Sequence, residues 1–371
     1  MQTRSAIFYE GDNAWTVETL EIDEPRSGEV LVRMAASGIC HSDDHALTGD
    51  IPRQYYPFCG GHEGAGVVEA IGPGVTAVAV GDHVVSCFIP SCGRCKWCAS
   101  GRQNLCDRGA GTLKGRQIDG TFRMHLDTMG VGAGTSTFTE LTVTSERSLI
   151  AIPHDIDLTT ACLLGCAVPT GWGAAVNGAA VSPGDIVIVM GVGGVGMNAV
   201  QGAWLAGAQR VIAVDPAQFK RDSAPIFGAT DTAASIEEAT ELARDLTNGQ
   251  GADAAIVATG VVKGSHIAEA FAAIAKGGIV VVAGVGPIGP LDVKLDVFEL
   301  AMYQKRIQGV LFGMCSPARD IPRLVDLYRD RRLLLDELIT NRYTLDTINQ
   351  GFEDMHHHRN IRGVIEISGV R

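Results

Sequence analysis

The residues with the clearest chemistry are cysteines. The chain has ten, and four of them cluster at Cys92, Cys95, Cys98 and Cys106. In a reducing compartment such a cluster is more often a metal ligand set or a catalytic group than a disulfide pair. Four thiolates at this spacing match a closed tetrahedral Zn²⁺ site, because zinc is borderline-soft and its structural sites are four-coordinate. A closed site holds a loop in place and does no chemistry. An iron–sulfur site would use the same residues, and four unrelated packed thiols are the plainest alternative.

A second signal is Gly191-Val192-Gly193-Gly194-Val195-Gly196, which follows a β-branched run and opens a helix-compatible stretch. Glycines there permit a tight turn and close approach of backbone to a pyrophosphate. The helix N-terminus supplies N–H groups and partial positive charge. Asp215 ends the next strand, where its carboxylate can accept from the adenosine ribose hydroxyls. The same carboxylate repels a 2′-phosphate, so NAD(H) is expected over NADP(H). A glycine-rich packing turn would read the same way. A third signal is Gly61-His62-Glu63-Gly64, with Cys40-His41-Ser42-Asp43-Asp44-His45 earlier in the chain. His62 and Cys40 are metal ligands by type, but spacing does not join them. A single histidine beside glycines is commonly a packed or surface residue.

The elements around these residues change character along the chain. The first 150 or so residues read as short strands and Gly-punctuated turns. Beyond residue 184, strand-like runs (185–190, 210–214, 254–258, 279–283) alternate with helical stretches (195–206, 219–227, 237–246, 265–275), the pattern of a parallel α/β sheet. Two more helices and a short strand are expected after residue 319. At 371 residues the chain has room for two or three domains at about 100–200 residues each. Lys and Arg total 30 against 42 Asp and Glu, a net charge of −12 that repels phosphate backbones, so nucleic acid is not an expected partner. The uncharged stretches 159–184 and 186–209 are broken by prolines or glycines at turn spacing, so no membrane span and no secretory signal are expected, and the location is read as cytoplasmic.

Together, Gly61-His62-Glu63, the four-cysteine lobe, Leu164-Gly165-Cys166 and the glycine fingerprint resemble, over essentially the whole chain, the zinc-dependent medium-chain alcohol dehydrogenases. The likeness includes actinobacterial-type members near the nicotinoprotein (dye-dependent) group. It implies an α/β protein: a GroES-like, β-rich catalytic domain (residues 1–167 and 311–371) and an inserted Rossmann domain with a doubly wound parallel sheet (168–310). It also implies two Zn²⁺ per subunit, one structural at the four cysteines and one catalytic on Cys40, His62 and Cys166. Glu63 takes a position that can approach the catalytic zinc. Asp43 matches the carboxylate that orients the ligating histidine, and Ser42 and His45 match a proton relay. For the cofactor, Val195 and Gly196 match the pyrophosphate turn and Asp215 and Lys220 the adenosine ribose. His41 and Arg362 match pyrophosphate contacts, and Thr170 and Val285 line the nicotinamide.

The activity so implied is reversible oxidation of a small-molecule alcohol to an aldehyde or ketone, with NAD as hydride acceptor. Alternatives are a nicotinoprotein that keeps NAD(H) bound, a thiol-dependent formaldehyde dehydrogenase and, from another class, a zinc-ribbon binding or regulatory protein. The segment around residues 279–287 resembles the part through which family subunits pair, and the long segment 107–139 resembles dimeric members. A homodimer is expected, with a tetramer as the alternative. Cys59, Cys87, Cys162 and Cys315 are expected to be packed thiols, and His356-His357-His358 a solvated turn.

Overall fold

A computed structural model describes residues 1–109 and 114–369; residues 110–113 of the long 107–139 segment lie outside the described residues. The chain divides into two compact units. The first comprises Met1–Cys166, Ser316–Asp330 and Leu335–Arg371, and the second Ala167–Cys315 and Arg331–Leu334.

The first unit is built mainly from antiparallel strands. Strands Gln2–Phe8, Thr16–Ile22, Met124–Leu126, Met129–Ala133 and Phe58–Cys59 close into a small barrel. The long strand Glu29–Gly38 anchors a second sheet and pairs with Gly64–Ile71, Leu141–Ser145 and Arg362–Glu366. It thus pairs both with the strand that follows His62 and with the C-terminal strand. An aromatic core (Phe8, Trp15, Phe58, Phe138, Phe352) fills the space against the barrel. The alternating, Gly-punctuated pattern of this region predicts these strands well. It does not predict the helix His41–Leu47, a seven-residue element too short to show a 3.6-residue period.

The second unit holds six parallel strands: Ile186–Met190, Arg210–Val214, Asp231–Ala233, Ala252–Val257, Ile274–Val282 and Arg306–Gly309. Their spatial order is third, second, first, fourth, fifth, sixth along the chain. This is the doubly wound arrangement, with its switch point between the first and fourth strands. The central strand Ile186–Met190 is buried along its whole length, as its continuous Val, Ile and Met run requires when both faces are covered. The helix expected over 195–206 spans Gly194–Leu205. The expected helical stretch 219–227 is the helix Gln218–Ser223 followed by a 3-10 turn Ala224–Phe227, because Pro225 removes a backbone donor. No single helix among the described residues is long and apolar enough to cross a membrane.

Candidate metal centre and dinucleotide turn

In the first unit the chain turns out of the strand Glu29–Gly38 and places Cys40 at the N-cap of the helix His41–Leu47. His62 sits in the turn that leads into the strand Gly64–Ile71, and Cys166 ends the 3-10 turn Cys162–Gly165. These three stretches meet. The ligand atoms of Cys40, His62 and Cys166 all lie within 4.8 Å of one another, and both cysteines are buried. Glycines make the approach possible. Gly61 has φ of +86°, and a Cβ there would press on the Phe138 amide; at Gly38 a Cβ would fall 2.7 Å from the Glu63 carboxylate.

The donor set fits a metal. His62 Nδ1 lies 3.1 Å from Asp43 Oδ1, which also accepts from the Gly61 amide at 3.0 Å. This fixes the ring so that Nε2 faces the cysteines, and Nε2 is buried without a hydrogen-bond partner. Phe88 closes the edge of the ring at a centroid distance of 5.5 Å. Burial opposes protonation of His62, but the Asp43 and Cys40 charges outweigh it and push its pKa up to about 10. Hydrogen bonding with Cys166 holds the Cys40 thiol well below its ordinary value; burial works against this, while Arg362 and His62 add to it. Two cysteine sulfurs facing a histidine held in one orientation by a carboxylate are the donor set that zinc prefers.

The remaining residues expected near this centre are distributed around it. Ser42 Oγ is 3.7 Å from Cys40 Sγ. His45 is buried and meets Asp50 Oδ2 through Nδ1 at 3.0 Å. Glu63 is fully buried and forms an ion pair with Arg362, which is nearly so. Sequence reasoning treats these two residues separately, and their pairing is visible only in the fold. His356, expected in a solvated turn, is tied to Asp44 at 2.8 Å, while His357 and His358 are exposed. Asp50, against His45, and Phe88, against His62, are further neighbours that sequence reasoning missed. Asp50 follows closely after the helix that carries His45, but nothing in the local pattern marks Phe88.

The ligand atoms of Cys92, Cys95, Cys98 and Cys106 form the other such group among the described residues, again within 4.8 Å of one another. Backbone amides turn inward onto the sulfurs: Cys92 N donates to Cys106 Sγ at 3.2 Å and Cys95 N to Cys92 Sγ at 3.3 Å. Backbone hydrogen bonds lower the Cys92 thiol to about 6, whereas burial pushes Cys98 up to about 12. Cys59 and Cys87 are buried, and burial pushes both to about 12; Cys162 is raised for the same reason. Cys315 is buried as well. All four are packed thiols.

In the second unit Gly191 has φ of +82°, a conformation that favours glycine. A Cβ on Gly196 would collide with the Gly191 carbonyl, so the turn and the first helical turn are pressed together. Gly193 caps the helix that Gly194, Val195 and Gly196 begin. Asp215, at the end of its strand, accepts from the Val192 amide at 3.0 Å and the Ala217 amide at 2.9 Å. It is buried and braces the glycine turn from the end of the neighbouring strand. Burial lowers Lys220, and Asp215 opposes the shift. Thr170 is buried in the helix Ala167–Gly173, and Val285 is exposed just beyond the strand Ile274–Val282.

Residues 26–154 match the alcohol dehydrogenase GroES-like domain and residues 194–330 the zinc-binding dehydrogenase domain. An NDMA-dependent alcohol dehydrogenase of Amycolatopsis methanolica is 46% identical over 368 residues, covering 98% of this chain and 99% of that one. The chain belongs to the zinc-dependent medium-chain alcohol dehydrogenase family. Alcohol dehydrogenase B of Mycobacterium tuberculosis is 44% identical over 98% of both chains. The crystal structure of benzyl alcohol dehydrogenase from Acinetobacter calcoaceticus superposes with a TM-score of 0.91 at 29% identity, covering 99% of this chain and all of the other. Membership displaces the reading as a zinc-ribbon regulatory protein.

Proposed function

We propose that this enzyme oxidises a small-molecule alcohol to an aldehyde or ketone, reversibly, with NAD as hydride acceptor. The observation that carries the reading is the meeting of Cys40, His62 and Cys166 within 4.8 Å, with the His62 Nε2 buried and unpartnered. In this reading these three residues hold a catalytic zinc, and Cys92, Cys95, Cys98 and Cys106 hold a structural one. When bound at the first site, zinc supplies Lewis acidity that makes an alcohol hydroxyl easier to deprotonate. Asp43 holds the His62 ring in orientation. Ser42, beside Cys40, takes the hydroxyl proton, and His45 passes it towards solvent, as suits an imidazole. Glu63, paired with Arg362, takes a position that can approach that zinc.

For the cofactor, Gly191, Gly193, Gly194, Val195 and Gly196 form the pyrophosphate turn, and Asp215 with Lys220 binds the adenosine ribose. His41 and Arg362 add pyrophosphate contacts, and Thr170 and Val285 line the nicotinamide. Asp215 favours NAD(H) over NADP(H) by repelling a 2′-phosphate. The test is a panel of alcohols with NAD⁺ on zinc-replete protein, read by reduced-nicotinamide absorbance. Turnover that vanishes in Cys166→Ala is expected; full turnover in that variant would overturn the ligand assignment.

A second reading, supported by the likeness to the NDMA-dependent enzyme, is that NAD(H) stays bound through the catalytic cycle. Reduced-nicotinamide absorbance in desalted protein separates it from free exchange. For assembly we propose a homodimer. The strand Arg306–Gly309 is an exposed sheet edge, and Val297, Phe298 and Met302 nearby are 71%, 64% and 63% exposed. An unpaired edge beside an apolar patch suits pairing with a second copy. A cytoplasmic location suits a chain in which no disulfide links any of the ten cysteines.

A further inference from the structure

Asn198 and Gln201 are buried in the helix Gly194–Leu205, at 0% and 3% exposure. Neither belongs to the glycine turn, and neither has a part in the reaction as drawn above. Burying an amide costs stability unless its donors and acceptors are met, and asparagine is a poor helix former. An alanine or leucine would pack position 198 without that cost.

Gln201 reaches the backbone of Leu334, in the short stretch Arg331–Leu334 that returns to this unit. Leu334 N donates to Gln201 Oε1 at 2.7 Å. Gln201 Nε2 donates to the Leu334 carbonyl at 2.9 Å and to Asn198 Oδ1 at 3.2 Å. Asn198 Nδ2 donates in turn to the Gly194 carbonyl at 2.8 Å. Backbone groups fix both side-chain orientations. A backbone N–H only donates and a backbone carbonyl only accepts, so neither amide can be turned over without losing a bond. The hydrogen bonds therefore run in one sense, from Leu334 N through Gln201 and Asn198 to Gly194.

The last link ends on the opening turn of the dinucleotide helix. The Gly194 carbonyl and the Val195 N–H share one peptide plane. That N–H stands at a helix start, where the amides have no acceptor within the helix. The ladder begins with Met197 N, which donates to the Gly193 carbonyl at 2.8 Å. Donation to a peptide carbonyl polarises the peptide and strengthens its N–H as a donor, and aligned chains of such bonds reinforce one another.

We propose that Asn198, held by Gln201, is a positioning residue for the cofactor: from behind the turn it orients and strengthens the Val195 N–H towards a pyrophosphate. This rests on the reading of the glycine run as the pyrophosphate turn.

The test measures the affinities of NAD⁺ and ADP-ribose by calorimetric titration, and that of adenosine by its displacement of ADP-ribose. The protein is full-length, zinc-replete and stripped of nucleotide with charcoal. Asn198→Leu keeps the side-chain shape and removes the donor. It should weaken NAD⁺ and ADP-ribose at least about threefold, as loss of a link in an aligned chain allows, and leave adenosine, which has no pyrophosphate, unchanged. Gln201→Met should act in the same direction but less, being one link further back, and it carries the test should Asn198→Leu not fold. The double variant should lose no more than Asn198→Leu alone, because the chain is already cut. The proposal is overturned if ADP-ribose binding is unaffected, if adenosine falls in parallel with it, or if the two single losses multiply. Where unaltered protein binds ADP-ribose, any of these results leaves the cofactor reading standing. Unaltered protein that binds neither NAD⁺ nor ADP-ribose defeats that reading and the positioning role with it.

Discussion

Removing Arg362 should expose how the buried ion pair with Glu63 is maintained. Both side chains are at most 6% exposed. Arg362→Met leaves a buried carboxylate without this counter-charge. Breaking a buried pair from one side costs about 3–5 kcal/mol. Glu63 can escape by taking a proton, and bringing a carboxylic acid of ordinary pKa to its neutral form at pH 7 costs about 3.7 kcal/mol, which caps the loss. The expected destabilisation at pH 7 is therefore about 3–4 kcal/mol. The sign with pH follows. In the variant the folded-state pKa of Glu63 is raised above its unfolded value, so the penalty is small in acid and grows as pH rises past the unfolded value. Glu63→Gln strands Arg362 instead, and a guanidinium cannot shed its proton, so that loss should be nearly independent of pH. The double variant should be less destabilised than the two single losses combined, by at least about 2 kcal/mol. Denaturant midpoints of zinc-replete protein between pH 5 and 8 provide the assay. Additive single effects, or an Arg362→Met loss under about 1 kcal/mol, would refute the reasoning.

Three further outcomes are expected. Asp43→Asn keeps the shape but weakens orientation of His62, and should lower affinity at the catalytic site by about 10–100-fold in chelator competition, leaving the four-cysteine lobe loaded. Asp215→Gly should relieve repulsion of NADP⁺ and weaken NAD⁺. Because Asp215 also accepts from the Val192 and Ala217 amides, NAD⁺ binding should fall further than in Asp215→Asn, as read by cofactor titration. Phe298→Asp, placed in the exposed apolar patch beside the sheet edge, should halve the mass in solution; an unchanged mass would reject that face as the dimer contact.

How much of this was legible beforehand depends on the range of the interaction. The cysteine lobe is confined to a short stretch, and the glycine turn is a contiguous run whose φ requirements and neighbours along the chain mark it. The parallel sheet announces itself through the repeated alternation of short apolar runs with helical stretches. The helix His41–Leu47 gives no such sign, being barely two turns long and packed with polar residues that face inward. Asp43, Asp44 and His45 are buried there only because other parts of the chain meet them: Gly61 and His62, His356, and Asp50.

The sequence by itself therefore determined the local chemistry: which residues are soft ligands, where the backbone can turn tightly, and where strands and helices alternate. Tertiary structure alone decided that Cys40, His62 and Cys166 share one point, that Glu63 answers Arg362, and that the Arg53 Nε is buried without a partner. The reason is physical. Turns and periodicity are set by neighbours a few residues apart, whereas burial, and hence the cost of leaving a charge or donor unmatched, is set by whatever distant segments the packing brings alongside.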